Sequence, residues 1–165
     1  MEIIKAVSDS SPLISFSAIG KLSLLKELFP KGIIISQAVF DEITFGEQGK
    51  EAIINAIEEK WISVIQISKK DIYKSLIHKG LDKGESEAIT LAYEKKMLVL
   101  LDETEARREA KNLGLSFTGA IGCLLKAKQK SLVLKIKPLL DSMIETTSFR
   151  VSPALYFRIL KEAGE

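Results

Sequence analysis

Four carboxylates in this chain occupy places where acids can act together: Asp9, Glu42, Glu85 and Asp102. Asp9 follows the apolar run Ile3–Val7, and Asp102 follows the continuous run Leu98-Val99-Leu100-Leu101. Each reads as an acid at the carboxyl end of a strand. Glu85 falls in the first turn of a helix that begins near Lys83. On a wheel of about 100° per residue, Ala88, Ile89, Leu91, Ala92 and Tyr93 share its side, whereas Glu87 and Glu94 face away. A carboxylate turned toward a core is costly without a partner. Its plain alternative is an acid that complements the dipole at a helix start. Glu42 lies at the border of the apolar side of QAVFDEITFG, and its neighbour Asp41 points outward. If the four acids converge, their repulsion calls for a cation. At an effective dielectric near 20, each pair at about 4–5 Å costs roughly 3–4 kcal/mol. Ligation by oxygen alone points to Mg²⁺ or Mn²⁺. One or two such ions can activate a water and stabilise the leaving oxygen of a phosphodiester.

The elements that must position these acids alternate. After the first strand, Ser11-Pro12 opens a helix with Leu13, Ile14, Phe16 and Ile19 on its apolar face and Gly20 at its end. A short helix over Lys21–Phe29 and the turn Pro30-Lys31-Gly32 lead to a second buried strand, Ile33–Ile35. Ser36 is placed to cap the helix that carries Glu42. Glu51–Lys60 is amphipathic. Trp61–Ile67 alternates apolar and polar residues, as an edge strand does, and Trp61 reads as a packing residue. A helix over Asp71–His78 precedes the one carrying Glu85. Leu115–Phe117 reads as a fifth strand, with Thr118 capping a buried helix that holds Cys123. Further helices are expected around Pro138 and from Ser152-Pro153 to the end. The last has an apolar stripe suited to docking on the domain or on a second copy. This order argues for an α/β fold, a mainly parallel sheet covered on both faces. In such sheets the ligand site lies beyond the carboxyl ends of the strands.

A length of 165 residues suits a single domain over 1–165. The net charge of +2 neither demands nor excludes a nucleic acid. One Cys and one His cannot build a usual zinc site, so any metal must be held by oxygen. The lone cysteine, the absence of a signal-peptide pattern and the absence of an apolar run near 20 residues lead us to expect a cytoplasmic protein with no membrane span. No glycine-rich phosphate loop follows the first strand, which argues against a dinucleotide site. A receiver-like phosphoacceptor domain would pair acids after the first strand, and here Asp9 stands alone.

Six segments carry a resemblance: VSDSSPLI, SQAVFDEI, LDKGESEAITLA, MLVLLDETEARREAKNLGL, FTGAIGCLLKAKQK and FRVSPALYFRILKEAGE. In this order, over nearly the whole chain, they resemble a PIN-domain protein, in particular the VapC-like ribonuclease toxins. The resemblance implies a three-layer α/β/α sandwich around a five-stranded sheet and a metal-dependent ribonuclease. It also implies a toxin role with a small antitoxin partner, and a homodimer. By motif, Asp9, Glu85 and Asp102 become the ligands of Mg²⁺ or Mn²⁺, and Glu42 the fourth catalytic acid. Ser10 and Thr118 stand where the family often has hydroxyls near the metal. Asp82 rivals Glu85, and Glu103 and Glu105 are both candidates for an added acid. Arg107, Arg108 and Lys111 follow the site and are candidates for holding RNA phosphates or an antitoxin carboxylate, against the simpler reading of a solvated helix face. The competing function is a PIN-like scaffold whose acidic pocket only binds RNA or a protein.

Overall fold

The computed structural model describes residues 4–165. Five strands, β1 (Ala6–Ser8), β2 (Ile33–Ser36), β3 (Ile62–Ile65), β4 (Leu98–Leu100) and β5 (Phe117–Thr118), form one sheet in the order β3-β2-β1-β4-β5. Every pairing is parallel. Ala6 stands opposite Ile33 on one side and Leu98 on the other, so β1 is the central strand. The unbroken apolar runs of β2 and β4 follow from this placement. Parallel strands covered on both faces have no solvent side on which to place polar residues. The edge strand β3 keeps the alternation instead, with Ile62 buried and Ser63 exposed.

Helices cover both faces, giving a three-layer α/β sandwich. The long helix α6 (Lys83–Lys95) lies against β1, β2 and β4, flanked by α3 (Gln37–Phe45), α5 (Lys70–His78) and α7 (Thr104–Asn112). A second group gathers around α1 (Ser10–Ala18): α2 (Leu22–Leu28), α4 (Lys50–Glu58), α8 (Ala120–Gln129) and α9 (Lys137–Thr146). Helix α10 (Pro153–Glu162) docks on α8 through buried Ile159 and Leu160 and leaves Phe157 exposed. Phe16 and Leu13 of α1, Ile33 and Ile35 of β2, and Ile89 and Leu91 of α6 are among the large side chains shut away in the core. Fully burying one such side chain is worth about 1.5–3 kcal/mol.

Local signals set several boundaries. Ser36 Oγ accepts from Val39 N at 3.1 Å and so caps as its position predicts, and at the helix start expected at Ser152-Pro153 the Ser152 Oγ accepts from Leu155 N at 3.1 Å. Two expectations need correction. The fifth strand is Phe117–Thr118 rather than Leu115–Phe117, so Thr118 pairs in the sheet and Gly119 takes the N-cap position of α8. Glycine has no side chain to cap with, and a distant carboxylate serves instead, as described below. The expected edge strand over 61–67 is trimmed to Ile62–Ile65. Ile3, expected to start the first strand, lies outside the described residues. Trp61 is half-buried against the core, with the Lys26 ammonium 6.0 Å from its ring. His78 is exposed at the end of α5. Among the described residues, no helix is long and apolar enough to cross a membrane.

Candidate active site

The sheet order builds outward from β1 in one direction to β2 and β3, then in the other to β4 and β5. The reversal falls between β1 and β4, and the crevice of such a sheet opens beyond the carboxyl ends of those two strands. Asp9 sits there, as the extended N-cap residue of α1. Its N–H donates to Leu100 O at 3.0 Å and ties the ends of the two strands together. The side chain makes no capping bond to the helix it precedes. Asp9 is only 5% exposed, and its Oδ1 is buried without a hydrogen-bond partner among the described residues. Burial pushes this carboxyl well above its usual range. The Ser10 N–H works against that shift, and the charges of Glu42, Asp82 and Glu85 add to it.

Glu42 approaches from α3 and Glu85 from the first turn of α6. Between them lies Gly84, buried at the second position of α6. A Cβ on Gly84 would stand 2.8 Å from Glu42 Oε2, 3.3 Å from Asp9 Oδ1 and 3.5 Å from Asp82 Oδ1. Three carboxylate oxygens from three elements therefore converge on a space that exists because residue 84 has no side chain. Glu42 titrates above its usual value because of partial desolvation; contact with the Ser10 side chain opposes this and the Asp82 charge reinforces it. Ser10 thus lies beside Glu42.

Glu85 has a double position. It forms a capping box with Asp82: Glu85 N donates to Asp82 Oδ1 at 2.8 Å, and Asp82 N donates to Glu85 Oε2 at 3.2 Å. The helix-start role that competes with a ligand role for this residue is therefore present. Glu85 is also drawn into the cluster. Desolvation raises its carboxyl, the Asp82 N–H bond lowers it, and the charges of Asp82, Glu103 and Glu42 raise it again. Of the two candidates after Asp102, Glu103 is the one whose charge reaches Glu85. Glu105 pairs with Arg108 on the exposed face of α7.

Asp102 stands one strand over at the same edge, with both oxygens engaged. Oδ1 accepts from Ala120 N at 2.8 Å and supplies the cap that Gly119 cannot, while Oδ2 accepts from Ser11 Oγ at 3.1 Å. Burial raises its carboxyl; Ala120 N–H, Ser11 and the Arg107 guanidinium pull it back. Arg107 donates from Nε to Leu101 O at 2.8 Å and stacks over Phe117 with its guanidinium carbon 5.7 Å from the ring centre. It braces Asp102 instead of reaching into solvent, whereas Arg108 and Lys111 are exposed. Gly119 is the second glycine whose missing side chain makes room, since a Cβ there would collide with Arg107, with Asp102 and, at 2.8 Å, with Leu101 O. Thr118 Oγ1 packs on Gly122, where a Cβ would strike it. Cys123 is buried, and burial with the nearby Asp102 charge pushes its thiol up to about 12.

Sequence patterns bring out Asp9, Glu42, Glu85, Asp102 and the rival Asp82, but not Gly84, Ser11 or Gly119. The one available signal for Gly84 is a glycine in the first turn of a good helix, where it costs about 1 kcal/mol against alanine.

Among the described residues, no group of three or more acids, histidines or cysteines is already drawn in to hold a metal ion. The donor set nevertheless suits a hard cation. Mg²⁺ keeps several waters and takes one or two carboxylates directly at about 2.0–2.1 Å. An orphaned, buried Asp9 Oδ1 beside Glu42 Oε2, with open space between, fits that habit.

A family profile, DUF3368, described as a PIN domain, matches residues 5–165. Among solved structures, a PilT N-terminus domain protein from the hyperthermophilic archaeon Sulfolobus solfataricus P2 is similar in fold. The TM-score is 0.52 at 15% identity, covering 90% of this chain and 98% of that one. No curated protein matches the chain in sequence.

Proposed function

This chain belongs to the PIN-domain family, whose members are in general nucleases, and on that premise we propose that it is a divalent-metal-dependent endoribonuclease. The observation that carries the proposal is the buried Asp9 Oδ1, unpartnered and facing Glu42 Oε2 across the space above Gly84. Carboxylates crowded in this way repel one another, and a cation is the partner that lets them ionise together.

In this reading Asp9, Glu85 and Asp102 hold Mg²⁺ or Mn²⁺, directly or through water, and Glu42 orients a water at the site. A bound divalent ion supplies positive charge for a phosphodiester oxygen and makes water a better nucleophile at neutral pH. The chain's own residues do the rest. Asp9 is fixed by its backbone bond to β4 and by burial, so it gives the site a rigid floor. Ser11 and Ala120 N hold Asp102 in one orientation, and Arg107 balances part of its charge. In this reading Arg108 and Lys111, both exposed on α7, are the cations that would meet RNA phosphates. By its likeness to VapC-like toxins we further assign it the toxin role of a toxin–antitoxin pair, acting in the cytoplasm as a homodimer with a small antitoxin partner. We take residues 1–165 to fold as one cooperative domain.

The test is cleavage of a pool of structured and single-stranded RNAs in Mn²⁺, in Mg²⁺ and in EDTA, with wild type beside Asp9→Asn. Cleavage that needs both the metal and Asp9 is the expected result. Cleavage that survives EDTA or the substitution overturns the assignment. A folded wild type that binds RNA in EDTA and cleaves none of it in any condition moves the protein to the binding-module reading.

A further inference from the structure

We infer that Asp82 is a further member of the cation-holding set, supplying a carboxylate at the solvent rim of the cluster formed by Asp9 and Glu42. This rests on the metal reading above. The capping box explains why an oxygen stands at position 82, because α6 needs an acceptor for Glu85 N. It does not explain the charge. Serine and asparagine cap as well as aspartate, and Glu85 already provides a negative charge in the first turn for the helix dipole. A charge at residue 82 also has an electrostatic cost here: its repulsion falls on Asp9, Glu42 and Glu85 alike. In a chain without a cation, aspartate is the worst of the good caps at this position.

The geometry gives the charge a use. Asp82 Oδ1 faces the same point above Gly84 as Asp9 Oδ1 and Glu42 Oε2, at 3.5 Å against 3.3 and 2.8 Å. Among the described residues, the buried Asp9 oxygen has no hydrogen-bond partner to account for its direction. Asp82 is exposed while Asp9 is shut in, so the pair spans the space from floor to rim. A hydrated cation entering from solvent meets Asp82 before it meets Asp9. Because the same oxygen caps α6, ion binding also tightens the helix start that carries Glu85.

Calorimetric titration with Mn²⁺ of wild type, Asp82→Asn and Asp82→Ser separates cap from ligand, with Asp41→Asn as a background for lost surface charge. Both substitutions at 82 keep a capping oxygen, and melting in EDTA checks the fold. The expected result is melting at or above the wild-type temperature without metal, together with a Kd for Mn²⁺ raised about 10–100-fold in both variants. Asp41→Asn should bind as wild type does. A Kd within threefold of wild type in both variants overturns the role of Asp82. A wild type that takes up no Mn²⁺ overturns the metal reading itself, and this inference with it.

Discussion

Replacing Gly84 with alanine separates the stability of the fold from its capacity for a cation. The backbone there is ordinary helix, so the new side chain gains about 0.5–1 kcal/mol of helix propensity. Against that stand its contacts. Glu42 Oε2, at 2.8 Å from the added Cβ, belongs to an exposed and flexible side chain that can swing aside. Asp9 Oδ1, at 3.3 Å, is buried and held, and will resist by a few tenths of a kcal/mol. The net effect on the metal-free protein is therefore between zero and about +1 kcal/mol. For a chain of this size that is 0 to about 4 °C in Tm. Metal binding moves the other way. The methyl occupies the point on which three carboxylate oxygens converge, so at least one ligand or ordered water is displaced. A tenfold to hundredfold loss of affinity, about 1.4–2.8 kcal/mol, is expected. Scanning calorimetry in EDTA and titration with Mn²⁺ read the two effects separately. An alanine variant that binds Mn²⁺ as wild type does would show that the cation is not held above Gly84. A variant that loses several kcal/mol of stability in EDTA would show that the space is rigidly packed rather than open.

Two further outcomes follow from the same geometry. Asp102→Ala orphans Ala120 N–H and the Ser11 hydroxyl and should cost about 1–3 kcal/mol in urea unfolding, whereas Asp102→Asn keeps an acceptor for Ala120 and should cost less; equal stability of the alanine variant and wild type would refute the cap. In EDTA, the unfolding midpoint should rise as pH falls from 7 to about 5: the carboxyls of Asp9, Glu42, Glu85 and Asp102 are raised by burial, so the folded state keeps protons that the unfolded chain has released, and their effect on stability is lost as pH climbs through the raised values. Below about 4 the trend should reverse, because the hydrogen bond from Lys79 holds Glu109 low and its stabilisation disappears on protonation; a midpoint that falls steadily from pH 7 would contradict the burial of the four acids.

The fold was legible where burial is two-sided. Ile33–Ile35 and Leu98–Leu101 read as interior strands, and the acids at the ends of the first and fourth strands, Asp9 and Asp102, already locate the crevice. The helix starts at Ser36 and Ser152 were equally plain, because their caps lie within three residues of the groups they satisfy. What failed was information carried across the chain. The start of α8 is capped from residue 102, 18 positions back, and nothing local to Thr118-Gly119 reports that. The helical wheel placed Glu85 toward the core, but side chains in a first turn lean back toward the helix start, which lets Glu85 close on Asp82 N and remain half-exposed. Gly84 was invisible for a different reason. Its contribution is empty space, and a pattern of residue types has no symbol for space.

The order of the sheet also sets a schedule for synthesis. β1 emerges first and pairs with β2 soon afterwards, yet its other neighbour, β4, begins at Leu98, 92 residues after Ala6. At about 5–20 residues per second a ribosome needs roughly 5–20 seconds to cover that distance. Throughout that interval the nascent chain carries an open edge on its central strand, the kind of edge that pairs with whatever strand it meets. Asp9 and Glu42 are made early and must wait for residues 82 to 102. A half-made chain therefore exposes its stickiest surface while its acids are still apart, and both conditions end together when β4 slides in beside β1.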